Sequence, residues 1–172
     1  MDTLIACGET APDFALPDLE GKTHRLREAT GRILVLNFWS AECPWAERVD
    51  AELLALQNEM KSHIIVWWIA SNANEPVEMI QRVAAERHLP VVLVDADHKA
   101  ADLYGAQITP QVFVIDAQGI LRYQGAVDDV NFRQRIPTRS YLRQAVEALL
   151  LGSLLDPDRT PPFGCALVRY TV

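Results

Sequence analysis

Basic clusters, long hydrophobic runs and abundant cysteines are all missing from this sequence. Lys and Arg total 16 against 23 Asp and Glu, which gives a formal net charge of −7. Without a Lys/Arg cluster, neither a nucleic acid nor an anionic membrane surface is an expected partner. The longest apolar runs, ILVLNFW and IIVWWIA, are seven residues each, whereas about 20 are needed to span a bilayer. We therefore expect these runs to be buried strands.

Only three cysteines are present, Cys7, Cys43 and Cys165, too few and too scattered for a structural disulfide framework. The N-terminal stretch MDTLIACGETAPDF has no basic region followed by a long apolar segment, as a secretion signal would have. We therefore expect a cytoplasmic protein whose cysteines are reactive rather than architectural. The only cluster that resembles a metal site is DADH, Asp95 to His98, and we expect no metal and no other cofactor.

Strand-like and helix-like segments alternate after residue 30, which is typical of a sheet covered by helices. The predicted fold class is α/β, and 172 residues suffice for one domain with a substantial core. The predicted strands are Ile33 to Trp39, Ile64 to Ser71, Val91 to Val94, Gln111 to Ile115 and Leu121 to Gly125. The predicted helices are Pro44 to Lys61, Pro76 to Arg87, Lys99 to Tyr104 and Arg139 to Leu151.

Turn signals set the limits of the predicted domain. A small entry hairpin turns at Glu20-Gly21, and DAQG (Asp116 to Gly119) forms the turn of a final antiparallel hairpin. We divide the chain into an N-terminal tail (1–10), the main domain (11–152) and a proline-rich C-terminal arm (153–172) that packs on the domain.

Cys43 lies where a predicted buried strand gives way to a helix that opens at Pro44. Proline is tolerated at this first helical position because its missing N–H would be unpaired there. The sulfur should face free backbone amides and the positive end of the helix dipole, which favour the reactive thiolate. The alternative is an inert buried cysteine, since free cysteine is often buried.

Two further positions stand out near this junction. Pro110 in ITP directly precedes the strand QVFVI, so it should lie at a strand start, either with a cis peptide bond or as an ordinary turn proline. Trp45 follows Pro44 and is either an apolar lid or partner contact beside the thiolate, or a first-turn residue packed on the C-terminal arm.

Four segments, APDFALPDLEGK, LVLNFWSAECPWAERVDAEL, YGAQITPQVFVIDAQGILRYQGAVDD and TPPFGCALVRY, together resemble the redoxin branch of the thioredoxin superfamily, specifically its peroxiredoxin-like AhpC/TSA group. The resemblance implies a thioredoxin fold, a central mixed β-sheet flanked by helices, here with an N-terminal hairpin and a C-terminal extension. It also implies a reactive cysteine at the start of the first main helix and a cis-proline loop packed against it. Cys43 and Pro110 match these positions, and Pro44, Trp45 and Thr109 would complete a substrate groove.

The sequence departs from these relatives where a second cysteine would stand. In a CxxC pair beginning at Cys43 the second position is Ala46, and in a pair ending at Cys43 the first is Ser40. Ser40 and Cys43 do match the [T/S]xxC motif of peroxiredoxins, in which the hydroxyl would help to polarise a peroxide. However, Leu36 replaces their active-site proline, and Pro110 lies where their arginine would be, so efficient peroxide reduction is not expected.

The leading hypothesis is a thiol oxidoreductase in which Cys43 is a single nucleophilic thiolate that attacks a disulfide or a peroxide. It would then need a second thiol from a protein, a low-molecular-weight reductant or this chain. Cys165 is the internal candidate for a resolving thiol, unless it is only a small apolar anchor of the arm. A catalytically weakened binding module, a redox sensor that closes a disulfide between Cys43 and Cys165, and a homodimer all stay open.

Overall fold

The structure, a computed structural model, describes residues 4–170. Its helices and strands follow the predicted order, with two additional short strands near the cis-proline loop and in the C-terminal arm. In chain order they are β1 (Ala15–Pro17), β2 (Thr23–Arg25), a short 3-10 helix (Leu26–Ala29), β3 (Ile33–Trp39), α1 (Pro44–Glu59), β4 (Ile64–Ala70), α2 (Val77–Glu86), β5 (Val92–Val94), α3 (Lys99–Tyr104), β6 (Ile108–Thr109), β7 (Gln111–Ile115), β8 (Leu121–Gly125), α4 (Tyr141–Leu151) and β9 (Cys165–Ala166).

The central sheet has five strands in the order β5-β4-β3-β7-β8. Strand β3 is parallel to β4, which is parallel to β5, whereas β7 is antiparallel to both β3 and β8. All seven residues of β3 are buried, because the sheet is covered on both faces. This explains why the strand reads as a continuous apolar run rather than an alternating one. The prediction of an α/β fold with a mixed sheet is confirmed.

Each face of the sheet has its own hydrophobic cluster. On one face, α1, α2 and α4 contribute buried side chains such as Leu53, Val83 and Val146. On the other face, α3 and the N-terminal segment contribute Tyr104 and Phe14, among others. Because the two clusters lie on opposite sides of β3, the C-terminal end of this strand emerges between the layers, and this is where Cys43 follows.

The N-terminal part of the chain packs on the domain. Strands β1 and β2 form the predicted hairpin, and Asp18 Oδ1 accepts hydrogen bonds from the Glu20 and Lys22 amides across its turn. The predicted tail extends over residues 1–10, of which 1–3 lie outside the described residues. Residues 4–10 are not a loose tail, because Ile5 is buried in the core and the Gly8 amide donates to the Leu121 carbonyl. Residues 171 and 172 of the predicted arm also lie outside the description.

Several predicted element limits were wrong by one or two residues. Helix α4 begins at Tyr141 instead of Arg139, because Ser140 is its N-cap and accepts a hydrogen bond from the Arg143 amide. Helix α2 begins after Pro76, which is its N-cap in extended conformation. Among the described residues, none of the helices is long and apolar enough to cross a bilayer.

Candidate redox-active site

Cys43 is the N-cap of the 16-residue helix α1, directly after the loop that leaves β3. Its backbone is extended, with φ −82° and ψ 117°, and Pro44 takes the first helical position as predicted. In the first helical turn, the N–H groups of Trp45 and Ala46 have no acceptor within the helix. Cys43 itself is only 3% exposed. The cysteine is therefore at a site that stabilises a thiolate, and it is almost completely covered.

Cys165 supplies a second sulfur to this site. Cys43 and Cys165 form a disulfide, with their Cα atoms 6.2 Å apart and a sequence separation of 122. The two positions where related proteins would carry a second cysteine hold Ser40 and Ala46, which have no sulfur, and both residues are buried. The structure thus places Cys43 in a pair with Cys165, while the role of Cys165 as a resolving thiol stays a prediction.

The predicted proline loop lies against the disulfide. The Thr109-Pro110 peptide bond is cis, and β7 begins at the next residue. The carbonyl oxygen of Thr109 is 3.3 Å from the Cys43 sulfur. The Thr109 hydroxyl is buried and has no hydrogen-bond partner among residues 4–170. The structure therefore places Thr109 and Pro110 beside Cys43, where the resemblance implied the proline loop would lie, and their function as a substrate groove stays a prediction.

A short antiparallel ladder connects the C-terminal arm to this loop. Strand β9 pairs with β6, so that Cys165 lies opposite Thr109 and Ala166 lies opposite Ile108. The arm thereby covers Cys43 with backbone as well as with sulfur. Sequence reasoning missed this ladder, because two-residue strands leave no periodic pattern.

The arm is also held on both sides of the cysteine. Upstream, the Thr160 hydroxyl accepts a hydrogen bond from the Ala126 amide at 3.0 Å. Downstream, the Leu167 amide donates to the Gln107 carbonyl at 2.8 Å, and Leu167 is buried in the core. The next residue, Val168, donates its amide to Asn72 Oδ1 at 2.7 Å. These contacts fix Cys165 independently of the disulfide.

Glu75 is a buried carboxylate that sequence reasoning missed. It lies in the loop between β4 and α2 and is 7% exposed. The Ala41 and Glu42 amides donate to it at 3.1 and 3.2 Å, and the Ser40 hydroxyl donates to it as well. Ser40 in turn accepts a hydrogen bond from the Cys43 amide at 3.2 Å. Glu75 thus fixes the turn that ends at Cys43.

A second buried acid lies beneath the same turn. Asp50, on α1, accepts hydrogen bonds from the indole N–H groups of Trp39 and Trp68 and pairs with Arg87 at 3.0 Å. Arg87 also donates to the Ala41 carbonyl at 3.1 Å. Burial raises the pKa of Asp50 above its ordinary value, although the Trp39, Arg87 and Trp68 donors oppose the shift. The two core tryptophans could have predicted this acid, since buried indoles require acceptors.

Trp45 belongs to an aromatic cluster at the rim of the disulfide, formed with Phe132 and Phe163. The Trp45 and Phe163 ring centroids are 4.8 Å apart, as are those of Phe132 and Phe163. Phe163 lies two residues before Cys165, so the cluster joins the helix that carries one cysteine to the arm that carries the other. Trp45 packs on the C-terminal arm, which was one of the two interpretations.

The other candidate residues lie in structural roles. Asp95 of the DADH cluster accepts hydrogen bonds from the Ser71 hydroxyl and from the Ala100 and Ala101 amides, and thereby caps α3. Residues 4–170 contain no cluster of three or more metal-ligating side chains. Cys7 is a free, half-buried thiol whose pKa is raised by burial and by the charge of Asp158.

Comparisons with known proteins agree with this architecture. A model of the AhpC/TSA family matches residues 7–124. The thiol-disulfide oxidoreductase ResA of Halalkalibacterium halodurans is 36% identical over 118 residues, which cover 68% of this chain and 66% of ResA. The match thus spans about two thirds of that relative's length.

Solved structures extend the similarity. A hypothetical protein from Sinorhizobium meliloti 1021 aligns with a TM-score of 0.87 and 28% identity, covering 99% of this chain and 97% of that one. The thioredoxin domain of a thiol-disulfide oxidoreductase from Bacteroides vulgatus aligns with a TM-score of 0.63 and 19% identity, covering 76% of this chain and 93% of that one. The thioredoxin fold that the resemblance implied is confirmed.

Proposed function

Because the chain belongs to the AhpC/TSA family, we propose that it is a thiol-disulfide oxidoreductase with Cys43 and Cys165 as its redox pair. The observation that supports this most directly is the disulfide between a cysteine at a helix N-terminus and one on a separately anchored arm. Its relative ResA is named as an enzyme of this class. The expected partners are protein or low-molecular-weight thiols and disulfides.

The proposed reaction is a two-electron exchange. The protein disulfide accepts two electrons from a dithiol or from two thiols, which become a disulfide, and Cys43 and Cys165 become thiols. In the reverse direction the protein dithiol reduces a substrate disulfide. The helix dipole and the first-turn amides of α1 stabilise the Cys43 thiolate in either direction. A single-thiol mechanism is no longer needed, because the chain supplies its own second sulfur.

Disulfide exchange ranks above peroxide reduction for this site. The Ser40 hydroxyl, expected to polarise a peroxide, donates to Glu75, and Cys43 is almost completely covered. Slow peroxide reduction, a redox sensor that uses the same disulfide and a non-catalytic binding module stay alternative predictions. The cytoplasmic location and a homodimer likewise stay predictions.

The test measures reduction of insulin disulfides by dithiothreitol with catalytic amounts of wild-type protein and three variants. Cys43→Ser and Cys165→Ser should each reduce the rate to that of dithiothreitol alone. Cys7→Ser is the matched control and should keep the wild-type rate, because Cys7 is not in the disulfide. After mild oxidation, the Cys7→Ser protein should lose the mass of about two hydrogens.

Two outcomes would contradict the proposal. One is a wild-type protein that accelerates insulin reduction no more than either disulfide-cysteine variant does. The other is an oxidised Cys7→Ser protein that carries only a sulfenic acid or an intermolecular adduct. Catalysis of peroxide consumption without any exchange activity would favour the peroxidase alternative instead.

A further inference from the structure

The two cysteines of the disulfide differ in their exposure to solvent. Cys43 is 3% exposed, enclosed by the start of α1, the Thr109 carbonyl and the arm. Cys165 is partly exposed, and the next residue of the arm, Ala166, is exposed. An external thiolate must touch the sulfur it attacks. Because Cys43 is almost completely covered and Cys165 is only partly buried, we expect this contact to be made more readily at Cys165.

The difference in leaving-group quality acts in the same direction. When a disulfide is attacked at one sulfur, the other leaves as a thiolate, and a more stable thiolate leaves faster. Cys43 lies at the N-terminus of a long helix, where the dipole stabilises negative charge. Cys165 lies on a two-residue strand and has no helix terminus of its own. Attack at Cys165 therefore expels the better leaving group.

This asymmetry should persist when the disulfide opens, because the arm has other attachments. Thr160, Leu167 and Val168 hold it through hydrogen bonds to three different segments. Arg169 adds a salt bridge to Asp102 at 3.0 Å and donates to the Ala106 carbonyl at 2.7 Å. A free arm would expose Cys43 on reduction, whereas an arm held at these points keeps Cys43 covered and Cys165 at the surface.

We infer that Cys165, and not Cys43, is the cysteine that exchanges with external thiols and disulfides, and that Cys43 is the buried resolving cysteine. The inference rests on the proposed function and assigns the order of its steps. An external thiolate bonds to the Cys165 sulfur, the Cys43–Cys165 bond breaks, and its electron pair goes to Cys43. A second external thiolate then attacks the external sulfur, leaves with it as a disulfide and releases Cys165 as a thiolate. This reverses the roles that the sequence predicted.

The first test compares single-thiol proteins, both in the Cys7→Ser background. Cys43→Ser leaves Cys165 as the only thiol, and Cys165→Ser leaves Cys43. The rate of reaction with oxidised glutathione is measured for each protein as the pH is raised, until the rate reaches a plateau at which the thiol is fully ionised. The plateau rates then compare how accessible the two thiolates are, independently of the pKa values of the two thiols. The plateau rate constant of Cys165 should exceed that of Cys43 by about tenfold or more. Equal plateaus, or a faster Cys43, would overturn the assignment.

The second test follows the oxidised Cys7→Ser protein after addition of reduced glutathione. Samples are quenched with acid at successive times, free thiols are alkylated, and the glutathione adduct is located by peptide mass spectrometry. Extrapolated to zero time, the adduct should lie on Cys165, with Cys43 alkylated. An initial adduct on Cys43 would overturn the inference and leave the proposed function intact. A protein that forms no disulfide, or whose disulfide does not exchange at all, would overturn both.

Discussion

At the scale of single residues, a buried acid beside the disulfide, Glu75, holds the backbone turn that leads to Cys43. Glu75 has two carboxylate oxygens, which together accept hydrogen bonds from Ser40, Ala41, Glu42 and Asn72. All four partners are donors, so an ionised carboxylate satisfies them without a conflict. Since Asn72 also holds Val168 of the arm, one carboxylate connects the turn before Cys43 to the segment that follows Cys165.

The substitution Glu75→Gln should destabilise the protein. Glutamine keeps one acceptor oxygen but directs an NH₂ group at a backbone N–H, which leaves a buried donor unpaired. We expect the free energy of unfolding to fall by about 1–3 kcal/mol, measured by urea denaturation of the oxidised protein. The control Glu78→Gln, at an exposed position of α2, should change it by less than about 0.5 kcal/mol. Equal effects of the two substitutions would show that the Glu75 contacts contribute no special stability.

At the scale of elements, the pairing of β9 with β6 determines where Cys165 lies. Gly164 makes this pairing possible, because a Cβ at this position would collide with the Thr109 carbonyl and would also approach Pro110 Cδ at 2.9 Å. The close approach is between two backbones, so neither side can relieve it by a rotamer change. Gly164 therefore allows the backbone of the arm to pack directly against the Thr109-Pro110 loop.

Gly164→Ala should weaken the disulfide without removing either sulfur. The added methyl group must push the arm away from Thr109, at a cost of about 1–3 kcal/mol. We expect the cost to be larger in the oxidised state, because there the bond to Cys43 prevents the residues next to Gly164 from shifting, whereas in the reduced state they can shift while the more distant attachments of the arm remain. The equilibrium constant for reduction by glutathione should rise accordingly, measured by a redox titration in glutathione buffers. Ala166→Ser is the matched control, since Ala166 is in the same strand but exposed. If the redox titration curve of the Gly164→Ala protein coincided with that of the wild type, the proposed role of this contact would be refuted.

The elements themselves were largely predictable, and the connections between distant ones were not. The sequence predicted β3, β7, β8 and α3 with the limits that the structure has, because buried apolar runs and punctuating residues such as Pro44 act locally. The pairing of Cys43 with Cys165 stayed one of several alternatives, since the two cysteines are 122 positions apart and the β6–β9 ladder that positions the arm leaves no local pattern. Glu75 was missed for the same reason: its partners lie 33–35 positions earlier, and no local pattern marks it.

At the scale of the whole molecule, the disulfide closes nearly three quarters of the chain into one loop. The disulfide joins helix α1 to the C-terminal arm. Buried side chains of α1 pack in the cluster shared with α2 and α4, and Leu167 of the arm packs in the cluster shared with α3 and the N-terminal segment. Both cysteines pack on the face of the sheet covered by α1, α2 and α4, and the arm then continues to Leu167 on the opposite face. Its redox state should affect global stability, although Thr160 and Val168 keep the arm attached.

Reduction should lower the stability of the wild-type protein while leaving it folded. A crosslink between positions 122 apart restricts the unfolded chain, and opening such a loop costs about 2–5 kcal/mol. We expect the free energy of unfolding of the Cys7→Ser protein to fall by this amount when dithiothreitol is added, with secondary structure unchanged by circular dichroism. The Cys165→Ser protein is the control and should unfold at the same denaturant concentration with and without reductant. If the Cys7→Ser protein were equally stable in both conditions, the prediction would fail, either because the disulfide does not form or because it contributes no net stability. Quantification of free thiols before and after unfolding separates these two cases.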